Sequence, residues 1–310
     1  MSDRPAPKTV LVTGGRGFVG AHLVQRLVAA GHSVVSYNRD FTAEVTPGVR
    51  AIQGELFDVP RLLTTLQKFS VDCIIHTAGM SHPGLSCDLA VTTFAANANG
   101  TLAVLECARL AGIRRVVNFS SECAYGNQEE SQVIDESARA VPTTPYGVTK
   151  VTGELLGHVY NSLYGLEVVS LRISEIYGPG LWMPSVVSDM VQAALEGKPF
   201  TLESGSAHPF QFVYVTDVAH AAELAALSPR LPQEIYNISG GHQMRLGEAL
   251  ALLKQILPEA EISVGPGYLP GWDVQGPFDI SAASRDLGYE PACSFKAGLV
   301  QYVSWLRSRK

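Results

Sequence analysis

The chain predicts an α/β fold, a doubly wound parallel sheet with a smaller carboxy-terminal lobe. Three observations carry this expectation. Short apolar runs of strand length alternate with amphipathic stretches through the first half of the 310 residues. The runs are continuous rather than alternating, as strands buried on both faces require. The first run also closes on a cluster of glycines at the mouth of a helical segment.

The elements follow in order. "TVLVT" (9–13) reads as the first strand, and "GGRGFVG" then places Gly14, Gly17 and Gly20 between strand and helix. A dinucleotide pyrophosphate needs this arrangement: a tight turn, a backbone without Cβ to approach, and helix N–H groups facing the anion. The strand–turn–helix context lifts the glycines above ordinary turn use. In "FVGAHLVQRLVAAG", Phe18, Val19, Leu23, Leu27 and Val28 fall at helical spacing, and Gly31 is a stop. "SVVSY" is the second strand, whose end chooses the cofactor. A carboxylate there accepts hydrogen bonds from the adenosine ribose, whereas an arginine accommodates a 2′-phosphate. This chain has Asn38 and Arg39, with Asp40 following. The expected cofactor is therefore NAD(P), with NADP favoured over NAD; an exposed polar loop is the plainer reading.

"VRAIQ", "DCIIH", "RVVNFS" and "EVVSLRIS" are further strand-length runs. "PRLLTTLQKF", "TTFAANANGTLAVLECARLAG" and "YGVTKVTGELLGHVYNSLYG" are long and periodic enough for helices. After about residue 175 the pattern loosens into Pro- and Gly-rich loops with scattered helices such as "PSVVSDMVQAALEG" and "LGEALALLKQIL". The expected division is a Rossmann-like NAD(P)-binding domain over 1–172 and a substrate-binding lobe over 173–310. Segments such as 210–222 pack back on the first domain, and a cleft lies between.

Composition excludes several classes. With 46% apolar and 17% charged residues the chain can bury a sizeable core. A net charge of −6 without any basic stripe speaks against a nucleic-acid partner. The five cysteines, Cys73, Cys87, Cys107, Cys123 and Cys293, are odd in number and widely spaced. They read as free thiols, not as disulfides or a metal site. "MSDRPAPK" leads straight into the first strand without a signal-peptide pattern. No apolar run reaches the roughly 18 residues that span a bilayer. The expectation is a cytoplasmic protein that acts on a small molecule, with no membrane and no metal.

The chemistry concentrates in two stretches. In "PTTPYGVTK" (142–150), Tyr146 and Lys150 share a helix face. A phenol titrates near about 10, and a neighbouring ammonium together with a positive nicotinamide ring favours the phenolate. "NFSSECAYG" supplies Ser120 and Ser121 at the carboxyl end of a parallel strand, where open α/β sheets place their sites.

These motifs together resemble the extended short-chain dehydrogenase/reductases, the group that holds nucleotide-sugar epimerases and dehydratases. The likeness covers nearly the whole chain: "TGGRGFVG", "HTAG" (76–79), "NANGT", "SSECAYG", "YGVTK", "LRISEIYGPG", "FVYVTDVA" and "LGYEP". The resemblance implies a triad of Ser121, Tyr146 and Lys150, Ser121 being the serine four residues before Tyr125 of the "YG" pair. Asn97 would support Lys150 through a water, and Lys150 would also hold the nicotinamide ribose. Dinucleotide contacts are implied for Gly14, Gly17, Phe18, Val19, Asn38, Arg39, Glu55, Leu56, Thr77, Ala78 and Gly79, besides Asn97, Tyr146 and Lys150. The loop after "HTAG" borders the pocket in relatives, so Ser81 and His82 are expected near substrate. The implied chemistry is hydride transfer at a secondary alcohol or ketone carbon. A coenzyme that stays bound makes an epimerase; one that dissociates makes a dehydrogenase or reductase. A non-catalytic dinucleotide sensor is the rival from another class. A homodimer through the helices near 94–111 and 146–164 is also implied, although the same Ala-rich stretches suit burial against the sheet.

Departures from the family pattern concern the substrate. Glu175 stands where nucleotide-sugar relatives usually have asparagine, Phe210 and Gln211 where they carry Arg-Asp, and Leu269 where an arginine is common. Each charge-assisted hydrogen bond contributes about 1.5–3 kcal/mol, so two missing arginines weaken diphosphate binding by roughly 10²–10⁴. Glu122 is followed by Cys123, so the two consecutive acids of the family's sugar dehydratases are incomplete. Glu122 either bonds a substrate hydroxyl or amine or is a peripheral loop charge. The expected substrate is sugar-like or another small polar molecule, with a nucleotide-sugar 4-epimerase as the alternative.

Overall fold

Strands β1 (Thr9–Thr13), β2 (Ser33–Asn38), β3 (Val49–Gln53), β4 (Cys73–His76), β5 (Arg115–Phe119) and β6 (Glu167–Ile173) alternate with helices in the computed structural model, which describes residues 6–40 and 47–309. Residues 1–5, part of the stretch read for a leader, lie outside the described residues. The helices of this half are α1 (Phe18–Ala29), α2 (Val59–Lys68), α3 (Pro83–Asp88), α4 (Ala90–Phe94), α5 (Gly100–Ala111) and α6 (Pro145–Tyr164). A π turn over Ala95–Asn99 joins α4 to α5. Such widenings recur at functional sites.

The sheet has seven strands in the order β3-β2-β1-β4-β5-β6, with Ile235–Ile238 beyond β6. Every pairing in it is parallel. This is the Rossmann order, and its direction reverses between β1 and β4. The loops after those strands therefore part and leave a crevice at their carboxyl ends. The seventh strand comes from beyond residue 172, and the helix Val215–Leu227 packs on α1. The second half thus completes the sheet as well as forming a lobe.

Successive side chains of a strand point to opposite faces, and here both faces are core. Val10, Val12, Cys73, Ile75 and Val117 pack toward α1 and Val215–Leu227. Leu11, Ile74 and Val116 pack on the other side with α2 and α5. The second lobe is held by short ribbons and rings. Phe212–Tyr214 pairs with Glu175–Tyr177, and Phe212 stacks on Phe210 and Phe295 at 5.0 and 4.7 Å between centroids.

A buried ion pair fastens α6 to the sheet. Arg172 donates from Nε and Nη2 to the two oxygens of Glu154 at 2.9 and 2.7 Å, and Ser120 Oγ adds a bond to Oε1 at 2.5 Å. The guanidinium lies 4.5 Å from the Tyr125 ring centroid, and the Tyr125 hydroxyl donates to Asn237 Oδ1 at 2.7 Å. Both members of the pair are 5% exposed in their side chains, so neither charge has bulk water to fall back on. Replacing Glu154 by Ala leaves Arg172 buried and uncompensated. Urea denaturation should show a loss of about 3–5 kcal/mol, and a loss under about 1 kcal/mol would refute this role.

Candidate active site

The carboxyl ends of β1, β4 and β5 gather the site. After β1, Gly14 takes φ +70°, and Gly17 N–H closes the turn on Gly14 O at 2.8 Å. A Cβ on Gly20 would stand 2.1 Å from Gly14 O, so only glycine lets α1 start this close to the loop. Helix α1 begins at Gly17 without a side-chain cap, which leaves its first N–H groups, those of Phe18 and Val19 among them, directed out of the helix end. That end fits an anionic pyrophosphate. A dinucleotide held there would run over the ends of β1 and β4.

The next positions mostly build the cradle. Asn38 Oδ1 accepts from Arg16 N–H at 3.0 Å and its Nδ2 donates to Ser36 Oγ at 2.9 Å, so this side chain ties β2 to the glycine loop. Arg39 is exposed and lies 3.6 Å from Asp40. Glu55 is exposed just beyond β3, its carbonyl accepting from the Tyr37 hydroxyl at 3.1 Å, and half-buried Leu56 reaches α5 at Gly100. Thr77 Oγ1 donates to Thr13 O at 2.7 Å, and Ala78 N–H to Thr13 Oγ1 at 3.3 Å, which holds the loop through Gly79 beside β1. His76 is neutral: burial, with Lys150 adding to it, lowers its pKa to about 3. It bridges Thr13 Oγ1 at 2.7 Å and Thr101 Oγ1 at 3.3 Å.

The opening of α6 explains the Tyr–Lys spacing. Thr144 caps it by accepting from Gly147 N–H at 3.1 Å, and Pro145 occupies its first turn. Tyr146 is therefore locked into that turn, its N–H on Ser86 Oγ at 3.1 Å. One turn later the Lys150 ammonium donates to Phe119 O at 2.7 Å and stands 5.2 Å from the Tyr146 ring centroid. Ser121 follows β5 and caps the short turn Glu122–Ala124, its Oγ accepting from Cys123 N–H at 3.2 Å. Ser120, its neighbour, faces away to Glu154. The two serines of the motif thus have different partners.

Asn97 lies in the π turn. Its Oδ1 accepts from Met80 N–H at 2.8 Å, and its Nδ2 reaches Met80 O at 2.9 Å and Thr149 Oγ1 at 3.0 Å. No direct bond to Lys150 is formed. Asn97, Thr149, His76 and Lys150 instead line a small polar recess with room for about one water. Thr149, absent from the expected residues, donates to the Tyr146 carbonyl at 2.7 Å and couples this recess to the tyrosine.

Electrostatics differ from the sequence expectation. Burial pushes the Tyr146 phenol strongly up, Cys123, Glu122 and Glu175 push it further, and the Ser121 hydroxyl pulls the other way. Burial also lowers Lys150 to about 8. An ammonium one turn away does not by itself make the phenol acidic, because desolvation of its charged form is the larger effect. Glu122 is held well above the usual carboxylate range by burial, then by Glu175 and Asp273. Glu175 is raised by burial to about 7. The remaining pocket candidates are more peripheral. Ser81 Oγ contacts Met183 Sδ at 3.1 Å, and His82 Nδ1 caps α3 by accepting from Leu85 N–H at 3.0 Å. Asp273, far away in sequence, joins the site through Thr143 and has no short-range signal. No group of metal-binding residues is found among the described residues, and no helix there is long and apolar enough to cross a membrane.

Glu175 gives a pH signature. Its folded pKa of about 7 lies above the usual 4.5, so wild-type stability falls as pH rises through that interval. Glu175→Gln cannot lose this stability. The variant should melt higher than wild type above about pH 7 and alike near pH 4; equal melting curves at both ends would refute the buried carboxyl.

Comparisons with known proteins agree with this architecture. The NAD dependent epimerase/dehydratase family matches residues 10–239. The human (Homo sapiens) dTDP-D-glucose 4,6-dehydratase is 26% identical over 97% of this chain and 90% of its own. The solved UDP-glucose 4-epimerase of Thermus thermophilus in complex with NAD is 30% identical, with TM-score 0.86 over 97% of this chain and 100% of its own. MoeE5 in complex with UDP-glucuronic acid and NAD is 27% identical, with TM-score 0.89 over the same shares. With the family matched over most of its length and the fold shared end to end, the chain is a short-chain dehydrogenase/reductase-type enzyme and belongs to the NAD-dependent epimerase/dehydratase family.

Proposed function

We infer that the protein moves a hydride at a secondary alcohol or ketone carbon of a sugar-like or other small polar substrate, through Ser121, Tyr146 and Lys150. The observation that carries this reading is the stacking of Lys150 against Tyr146 at the end of β5, with Ser121 beside it. Tyr146 is a buried phenol, so it is poised to donate its proton to a carbonyl oxygen being reduced. In the reverse direction it takes the hydroxyl proton, and Lys150 stabilises the phenolate that forms. Ser121 accepts from Cys123 N–H and its hydroxyl acts on the Tyr146 phenol, so it stands beside the tyrosine to orient the substrate oxygen. Gly14, Gly17, Phe18 and Val19 would hold the pyrophosphate of NAD(P), and Lys150 its nicotinamide ribose. When bound, that cofactor supplies the hydride acceptor or donor and, oxidised, a positive charge near the phenol.

NAD takes first place over NADP in this reading. Asn38 is committed to the glycine loop and Arg39 shares its charge with Asp40, which weakens the case for a 2′-phosphate. The solved relatives named above contain NAD. They also support the second reading, a nucleotide-sugar 4-epimerase that keeps its NAD. Denaturing the purified protein and assaying the released coenzyme separates the two. Stoichiometric NAD supports the epimerase; an empty site that fills on addition of dinucleotide supports a dehydrogenase or reductase. Tyr146→Phe should lower turnover by at least about 10² while dinucleotide binding persists, and unchanged turnover would overturn the role.

A homodimer fits the outer face of α4, α5 and α6. Val91, Leu102, Leu155, Val159 and Leu163 stand between 41% and 85% exposed along it, an apolar stripe that a second copy would cover. Sedimentation should show twice the chain mass, and Leu155→Glu with Leu163→Glu should yield the monomer. A wild-type monomer at micromolar concentration would refute the interface.

A further inference from the structure

The Tyr146 backbone is held from outside its own helix. The first N–H groups of a helix have no partner within it. In α6 Pro145 has no N–H, Thr144 Oγ1 takes that of Gly147 at 3.1 Å, and Val148 starts the helical ladder on Thr144 O at 3.0 Å. That leaves the N–H of Tyr146, which donates to Ser86 Oγ at 3.1 Å across 60 residues of sequence. Ser86 is fully buried, and its own hydroxyl donates to Pro83 O at 2.5 Å. The hydrogen is thereby committed to Pro83, and a lone pair of the same oxygen is left for Tyr146.

The segment that carries Ser86 is itself firmly placed. Helix α3 opens with His82 Nδ1 accepting from Leu85 N–H at 3.0 Å, followed by Pro83. Ahead of it, Asn97 holds both backbone groups of Met80, accepting from the N–H at 2.8 Å and donating to the carbonyl at 2.9 Å. Asn97 Nδ2 also reaches Thr149 Oγ1 at 3.0 Å, and the Thr149 hydroxyl donates to the Tyr146 carbonyl at 2.7 Å. The stretch from Met80 to Ser86 therefore grips the tyrosine at both backbone ends, directly at the N–H and through Asn97 and Thr149 at the carbonyl. Lys150 and Glu154, one and two turns later, already hold α6 on the sheet. What the Ser86 bond adds is the placing of the first turn.

We propose that Ser86 is a positioning residue for Tyr146, fixing where the phenol stands by tying the tyrosine backbone to α3. This rests on the reading that Tyr146 is the reacting phenol. Without the Ser86 oxygen the buried Tyr146 N–H has no partner, so the first turn of α6 shifts until one is found. Coulomb attraction falls with distance, and a phenolate displaced from a positive ring gains less from it. Hydride transfer also demands that oxygen, carbon and ring share one geometry, and a misplacement of about 1 Å costs roughly 10² in rate.

The test reads the phenol and needs no substrate. Tyrosinate absorbance, each protein minus its own Tyr146→Phe counterpart, is titrated with and without oxidised NAD. In wild type NAD should lower the midpoint, and in Ser86→Ala the lowering should be smaller by at least about one pH unit. Ser86→Cys, of the same shape but a weaker acceptor, should fall between the two. Exchange of the Tyr146 amide hydrogen should quicken at least about tenfold in Ser86→Ala, while that of Gly147, capped by Thr144, and the affinity for NAD both hold. A serine that merely packs would lower the melting temperature and leave the midpoint alone. Equal midpoints in wild type, Ser86→Cys and Ser86→Ala therefore overturn the proposal. The hydride-transfer reading fails in a different pattern: NAD then moves no midpoint even in wild type, and this role falls with it.

Discussion

The hydrogen bond from the Lys150 ammonium to the Phe119 carbonyl anchors the chemistry of this molecule to its fold. It joins α6 to the carboxyl end of β5, so that a helix and a strand made by distant parts of the chain share one register. Tyr146, one turn before Lys150, and Ser121, two residues after Phe119, are brought together by that register and by nothing local. The Glu154–Arg172 pair, one turn further along the same face of α6, holds the helix against β6. A buried ion pair is weak evidence of net stability, but it is a strong specifier of position when each charge has only the other to meet. Here it fixes the rotation of α6 and therefore the face that carries the tyrosine.

Lys150, half of the proposed couple, stands 5.2 Å from the ring of the phenol, Glu122 and Glu175 push the phenol pKa up, and Asp273 acts on Glu122. Burial raises the pKa values of the three acids and lowers that of the lysine, so the charged form of each group is disfavoured. Ligands that restore the missing charge therefore act on the protonation of the whole group. Burial acts on the phenol too, and there it outweighs the neighbouring amine.

The sheet was legible because each strand is a continuous apolar run bounded by glycines or polar turns, a pattern that burial on both faces imposes. The glycine loop at the mouth of α1 and the placing of Tyr146 and Lys150 one turn apart on α6 were legible too, through the motifs of an enzyme family. The short strands of the second lobe were not. Phe200–Leu202, Pro209–Phe210 and Phe212–Tyr214 are two or three residues long, too short to show a period, whereas the helices Val186–Glu196 and Leu246–Ile256 were expected. The bonds that shape the pocket, from Gln275 to Glu122 and from Thr143 to Asp273, span separations of 153 and 130 residues. Nothing in the neighbourhood of either residue announces them. The acidity expected of Tyr146 rested on the neighbouring ammonium and a bound nicotinamide ring, whereas burial is a property of the whole fold.

The central claim is that the Tyr146 phenol is held protonated by the empty protein and yields its proton once a positive ring lies beside it. Tyrosinate absorbance, taken as wild type minus Tyr146→Phe, measures this directly with and without oxidised dinucleotide. Between about pH 6 and 10 the loaded protein should develop one tyrosinate that the unloaded protein lacks. Identical titration curves in the two states would contradict the account.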